Sequence, residues 1–182
     1  MKVLALDLAT CSGFAVGEVG ETHPHFGVIR FSAKDGTRKA LFGGALRWLN
    51  QTLTTHQPGI IAFEEPLHFG LRRGASQAGN DELAYGLPAI VQAVAFLRGI
   101  YDIRQVRTVE VRRFFIGDNP KRAVGKRETM LHCRALGLPV EDDNAADALA
   151  IWFFVCAQID PTVGLYCSPL FGKSARVAAV WP

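Results

Sequence analysis

Residues 2–20 read KVLALDLATCSGFAVGEVG. Lys2 to Leu8 is an apolar run broken only by Asp7, Thr10–Gly13 has turn chemistry, and GFAVGEVG reads as the returning partner of a hairpin. An unpaired carboxylate inside an apolar strand is costly, so something must compensate Asp7. Either it caps the turn together with Thr10 and Ser12, or it faces a site that supplies positive charge.

Beyond the hairpin, a third strand near Gly27–Ser32 would complete an antiparallel meander. Lys39 to His56 carries a helical apolar stripe that Pro58-Gly59 ends. IIAFEE (60–65) suits a parallel strand buried on both faces. A polar, Gly-rich loop fills 68–80. Glu82 to Leu97 returns to helical spacing, with Gly86 and Pro88 expected to make its first turns irregular. A strand over Ile103–Val109, a short helix at Val111–Phe115 and the loop 117–125 lead to a helix over Lys126–Leu136, stopped by Gly137 and Pro139. Asp143 to Gln158 is a strongly apolar helix with an acidic start. Antiparallel strands followed by strand–helix–strand units predict a mixed sheet flanked by helices, in one domain over 1–158. No fold is assigned to the tail, 159–182.

A 182-residue chain at 49% hydrophobic and 20% charged residues can bury one sizeable core, which excludes a disordered chain. No apolar stretch reaches the length of a membrane span, and the first strand lacks a signal peptide's cleavage site, so a soluble cytoplasmic protein is expected. Cys11, Cys133, Cys156 and Cys167 are far apart and form no Cys-x-x-Cys pair, which favours reduced thiols over a zinc site. His23 and His25 sit among turn residues and make weak metal ligands. Net charge is only +3. Its distribution says more: Arg98 to Arg134 holds ten Lys and Arg against four acids, while residues 1–97 balance. Such a stretch, which includes Lys121 and Arg122, is either a solvated face or the footprint of a polyphosphate.

Two further acids stand out. Glu64 ends the apolar run IIAF, and Glu65 beside it should point to the other side of the strand. In DDNAADALAIWFF (142–154), Asp143 and Asp147 share a helix face although like charges at that spacing repel. Capping explains Asp142 or Asp143; it does not explain Asp147 among Ala, Leu, Ile and Trp. One arrangement relieves all three anomalies. If the first and fourth strands are neighbours and the acidic helix crosses them, Asp7, Glu64 and Asp147 converge, and hard divalent cations between them make the cluster tolerable. Two such ions serve phosphodiester hydrolysis, with the basic stretch holding the backbone.

LALDLATCSGFAV, IIAFEEP, VRRFFIG followed by GKRE, and DNAADALAIW resemble, in this order, the motifs of the RuvC-type Holliday junction resolvases; the likeness spans about residues 2–156. It implies a ribonuclease H-like fold with a five-stranded mixed sheet, a homodimer, and symmetric cutting of four-way DNA junctions with Mg²⁺ or Mn²⁺, two ions per site. By this resemblance Asp7, Glu64 and Asp147 take three of four acidic places. The family's remaining acid falls at Asn144, so Asp143 is chosen for the fourth metal place, with Asn144 as a neutral substitute. Lys126 matches a lysine beside the scissile region, and Arg112 and Arg113 a basic position for backbone phosphate. The loop after Glu64 would place an aromatic at the junction centre, here Phe69, with Arg72 and Arg73 as DNA contacts.

Three other readings compete. A related nuclease for flaps, forks or structured RNA would use the same carboxylates. An actin-like kinase or ATPase shares the Asp-ended strand but needs a second lobe. A non-catalytic DNA-binding module would have no use for the intact acids.

Overall fold

The computed structural model describes residues 1–31, 36–66 and 77–171. Its centre is a five-stranded sheet of β1 (Lys2–Asp7), β2 (Cys11–Glu18), β3 (His25–Arg30), β4 (Ile60–Glu64) and β5 (Asp102–Val106), in the order β3-β2-β1-β4-β5. The first three strands are antiparallel, while β1, β4 and β5 run parallel. The expected mixed sheet is therefore present.

Alternation along the strands assigns each side chain to a layer. Leu4, Leu6, Ile61 and Phe63 face α1 (Arg38–His56) and α2 (Gln77–Leu97), and pack with Leu49, Leu53, Val91 and Val94. Val3, Ala5, Ile60 and Ala62 face the opposite layer, α3 (Thr108–Ile116), α4 (Arg122–Ala135) and α5 (Asp143–Ile159). α5 lies between the sheet and the other helices, which is why it is apolar nearly all round. Ala145, Ala146, Ala148 and Ala150 are buried, and their small size lets α5 approach the strands closely. Trp152 locks it there by donating its Nε1–H to the Val3 carbonyl at 3.2 Å.

Several boundaries differ from expectation. β2 begins at Cys11 rather than Gly13, because the Ser12 hydroxyl donates to the Ala9 carbonyl at 2.7 Å and accepts from its N–H at 2.9 Å, making the turn very tight. Ser12, not Asp7, thus stitches the turn. β3 is set by its register with β2, Val16 opposite His25, and starts two residues before Gly27. α2 is continuous from Gln77 through Pro88. Gly86 is no helix break: a Cβ there would lie 2.6 Å from the Phe42 ring, so the glycine permits the crossing of α1 and α2. β5 ends at Val106, and α3 and α4 each start earlier than expected. Beyond Ile159, α6 (Pro161–Cys167) buries Val163 and Cys167 in the α5-side core. No helix among the described residues is long and apolar enough to cross a membrane.

Candidate active site

Strand parity and register bring the first two acids together. Asp7 follows Val3 and Ala5 on the α5 face, and Glu64 follows Ile60 and Ala62 on the same face. Ala5 pairs with Ala62 across the parallel ladder, so Asp7 and Glu64 occupy the next same-face position of neighbouring strands. Both stand at the carboxyl ends of the parallel strands.

The third acid arrives on α5. Gly13 sits opposite Asp7 in the β1–β2 ladder, and a Cβ on it would lie 1.8 Å from the Asn144 carbonyl oxygen. Only glycine lets the first turn of α5 rest on the hairpin there. Asp142 caps the helix by accepting from the Asn144 N–H at 2.8 Å. One turn further, Asp147 enters the same cavity as Asp7 and Glu64, a space of about 430 Å³ also lined by Glu65, Thr108, Arg112, Arg122, Lys126 and Asn144.

Charge in this cavity is unbalanced. Burial, then Asp147 and Glu64, push the Asp7 carboxyl up to about 7; Lys126 offsets part of this. Burial raises Asp147 to about 6, against the pull of Lys126 and Arg112. Asp143 behaves oppositely. It accepts from Lys126 Nζ at 2.5 Å, and this bond holds its pKa below the ordinary value. Asn144, one residue on, lines the cavity itself. Glu64 receives a hydrogen bond from the Thr108 hydroxyl at the start of α3. Glu65 lies just past the strand, where it pairs with Arg107 at 3.5 Å. It still lines the cavity with Glu64, because the space wraps over the carboxyl ends of β1 and β4, reaching Ala84 and Pro88 of α2, rather than keeping to one face.

The expected basic residues separate. Arg112 is half-buried; its Nε is buried without a hydrogen-bond partner, and its guanidinium lies where Gly125 leaves room. It is thus a cation kept beside Asp147. Arg113, one position on, is exposed and is not among the lining residues. Arg122 is at the rim, while Lys121 is exposed just before α4. Phe69, Arg72 and Arg73 lie outside the described residues. Neither Thr108, whose position at a helix start reads as ordinary, nor Gly13 as the seat of α5 carries a signal in the residues alone.

Asp7, Glu64, Asp147 and Asn144 offer oxygen donors only, with the half-buried carboxylates of Asp7 and Asp147 crowded by other acids. That chemistry fits a hard divalent cation. As placed, no three His, Cys, Asp or Glu side chains among the described residues form a closed metal-binding group. Thr108 and Lys126 hold two of the acids in other contacts. Thiol chemistry at Cys133, Cys156 and Cys167 is disfavoured, since burial pushes them up to about 12.

An antiparallel meander continued by two parallel strands, with a helix laid across the central pair, defines the ribonuclease H-like α/β fold. Among solved structures, that of Thermus thermophilus RuvC shares it with a TM-score of 0.67 at 21% identity, over 89% of this chain and 98% of that one. T. thermophilus RuvC in complex with a Holliday junction substrate gives a TM-score of 0.67 at 19% identity, over 87% and 95%. The yeast mitochondrial Holliday junction resolvase Ydc2 gives 0.54 at 14%, over 90% and 82%. No family model matches the chain, and no curated protein matches it in sequence.

Proposed function

We propose that this protein is a divalent-metal-dependent endonuclease that cuts four-way DNA junctions, acting as a homodimer in the cytoplasm. The observation that carries the reading is the meeting of Asp7, Glu64 and Asp147 in one cavity walled by Arg112, Arg122 and Lys126. The fold supports the choice of substrate: one structural neighbour was solved with a Holliday junction and another is a junction resolvase.

Asp7, Glu64 and Asp147 would hold Mg²⁺ or Mn²⁺, two ions in all, with Asp143 as the fourth acid once it leaves Lys126 and Asn144 as a neutral donor in its place. Such ions activate water and stabilise the leaving oxygen in phosphodiester hydrolysis. Thr108 orients Glu64. Lys126 and Arg112 place positive charge where the phosphate gains negative charge. Arg122 at the rim, with the exposed Arg113 and Lys121, would contact backbone phosphates, and Phe69, Arg72 and Arg73, which follow Glu64 in the sequence, would extend the DNA contact.

The test is a cleavage gel with purified protein and either metal, comparing four-way, flap, fork and hybrid substrates. Paired symmetric nicks in the four-way junction are expected. Asp7→Asn and Asp147→Asn should still bind the junction while cutting falls by at least about a hundredfold. Preferential cutting of flaps or hybrids would move the reading to a related nuclease. Wild-type protein that leaves every branched substrate whole would end it.

A further inference from the structure

A second groove, of about 200 Å³, opens off the carboxylate cavity on the α2 side of the sheet edge. The two spaces share Glu65, Pro66 and Pro88 as a common wall. The rest of the groove is Tyr85, Ala89 and Gln92 from α2 and Gln105 from β5. Tyr85, Pro88, Ala89 and Gln92 fall at i, i+3, i+4 and i+7, so they form one helix stripe. Gln105 faces that stripe because it shares parity with Ile103, which packs on the α2 side of the sheet.

The lining indicates what the groove would accept. The Glu65 carboxylate in its wall works against a phosphate there. Pro66, Pro88 and Ala89 give apolar walls, and Tyr85 gives an aromatic one. The Gln92 amide is oriented, because one Nε2–H donates to the Pro88 carbonyl at 3.3 Å. Its oxygen and second N–H remain for another partner, a donor–acceptor edge of the kind that glutamine offers a base. Gln105 adds a second exposed amide. At about 200 Å³ the groove has room for one flat heterocycle.

We infer that this groove receives a nucleobase of the strand being cut, next to the scissile phosphate, and that Gln92 and Gln105 set a base preference at that position. The inference rests on the nuclease reading above. Phosphate contacts position a strand without reading it, whereas a pocket with amide edges and an aromatic wall can discriminate bases.

Four-way junctions randomised at each nucleotide flanking the cut, cleaved by wild-type protein and sequenced, test it. Wild type should favour one base at one position by about five- to a hundredfold. The double variant Gln92→Ala, Gln105→Ala should flatten that preference to about twofold or less, at the scale where no bidentate contact remains. Its melting temperature should not change, since both residues are exposed. Three results overturn the inference while leaving the nuclease intact: a wild type that cuts all bases equally, a variant with the wild-type preference, or a variant slowed equally on every base. A wild type that cuts nothing sinks both.

Discussion

On the α1–α2 side of the sheet, Leu4, Leu6, Ile61 and Phe63 fill the interior with large side chains. On the α5 side, the alternate residues of the same two strands are mostly smaller, Val3, Ala5, Ile60 and Ala62, and the run ends in Asp7 and Glu64. The difference is one of distance as well as polarity. Small residues on strand and helix alike bring α5 close to the sheet, so Asp147 enters the cavity holding the two strand-end acids. The large-residue face builds stability. The small-residue face forfeits some of it, because Asp7 and Asp147 are half-buried among like charges.

The sharpest way to break this contrast is to move α5 off the hairpin. In Gly13→Ala the new methyl would meet the Asn144 backbone, so the start of α5 must shift away from Asp7. Cutting is expected to fall by about a hundredfold or more, the scale of losing one pre-positioned catalytic group. Thermal unfolding should also show a loss of at least about 1–3 kcal/mol, the usual cost of overpacking. Near-wild-type cutting in this variant would mean that the seat of α5 does not position the site.

The opposite face supplies the control. Leu4 is fully buried against α1 and α2 and has no part in the cavity. Leu4→Ala should cost about 2–5 kcal/mol in denaturant unfolding, as large-to-small core changes do. Junction cutting per folded molecule should nonetheless stay within about twofold of wild type, since the change is distant from the acids' shared cavity. A large loss of cutting in correctly folded Leu4→Ala would show that the two faces are not separable.

Much of this division was visible in the residues alone. Asp7 and Asp147 betray themselves by interrupting apolar patterns, a local signal that needs no tertiary knowledge. The order of strands and helices followed from periodicity, and the ribonuclease H-like α/β fold from that order with the motifs. What escaped depends on contacts distant in sequence. Glu64 meets Thr108, 44 residues away, and Asp143 meets Lys126, 17 residues away. Spacing on α5 put Asp143 and Asp147 on one face, but it could not show that a lysine from α4 would hold one of them. Pro88 and Gly86 read as helix trouble because their packing against α1 and the cavity is invisible without the fold.

The smallest expected effect bears on the cost of the acidic face itself. Folding raises the Asp7 pKa from 3.8 to about 7, so between those values the native protein holds a proton that the unfolded chain has released. Where the native state binds more protons, stability falls as pH rises. The metal-free wild type should therefore lose stability from pH 5 to pH 8 relative to Asp7→Asn, which lacks the position-7 carboxyl, while Asp147, raised to about 6, titrates in both proteins. At pH 8 the Asn variant should be more stable by on the order of 2 kcal/mol, less than the whole shift implies because water still reaches the carboxylate. Added Mg²⁺ should narrow the gap by stabilising wild type alone, as any ligand of the native state does. Equal stability of the two proteins at pH 8 without metal would show that burying Asp7 costs nothing, and the contrast between the two faces would then be one of shape only.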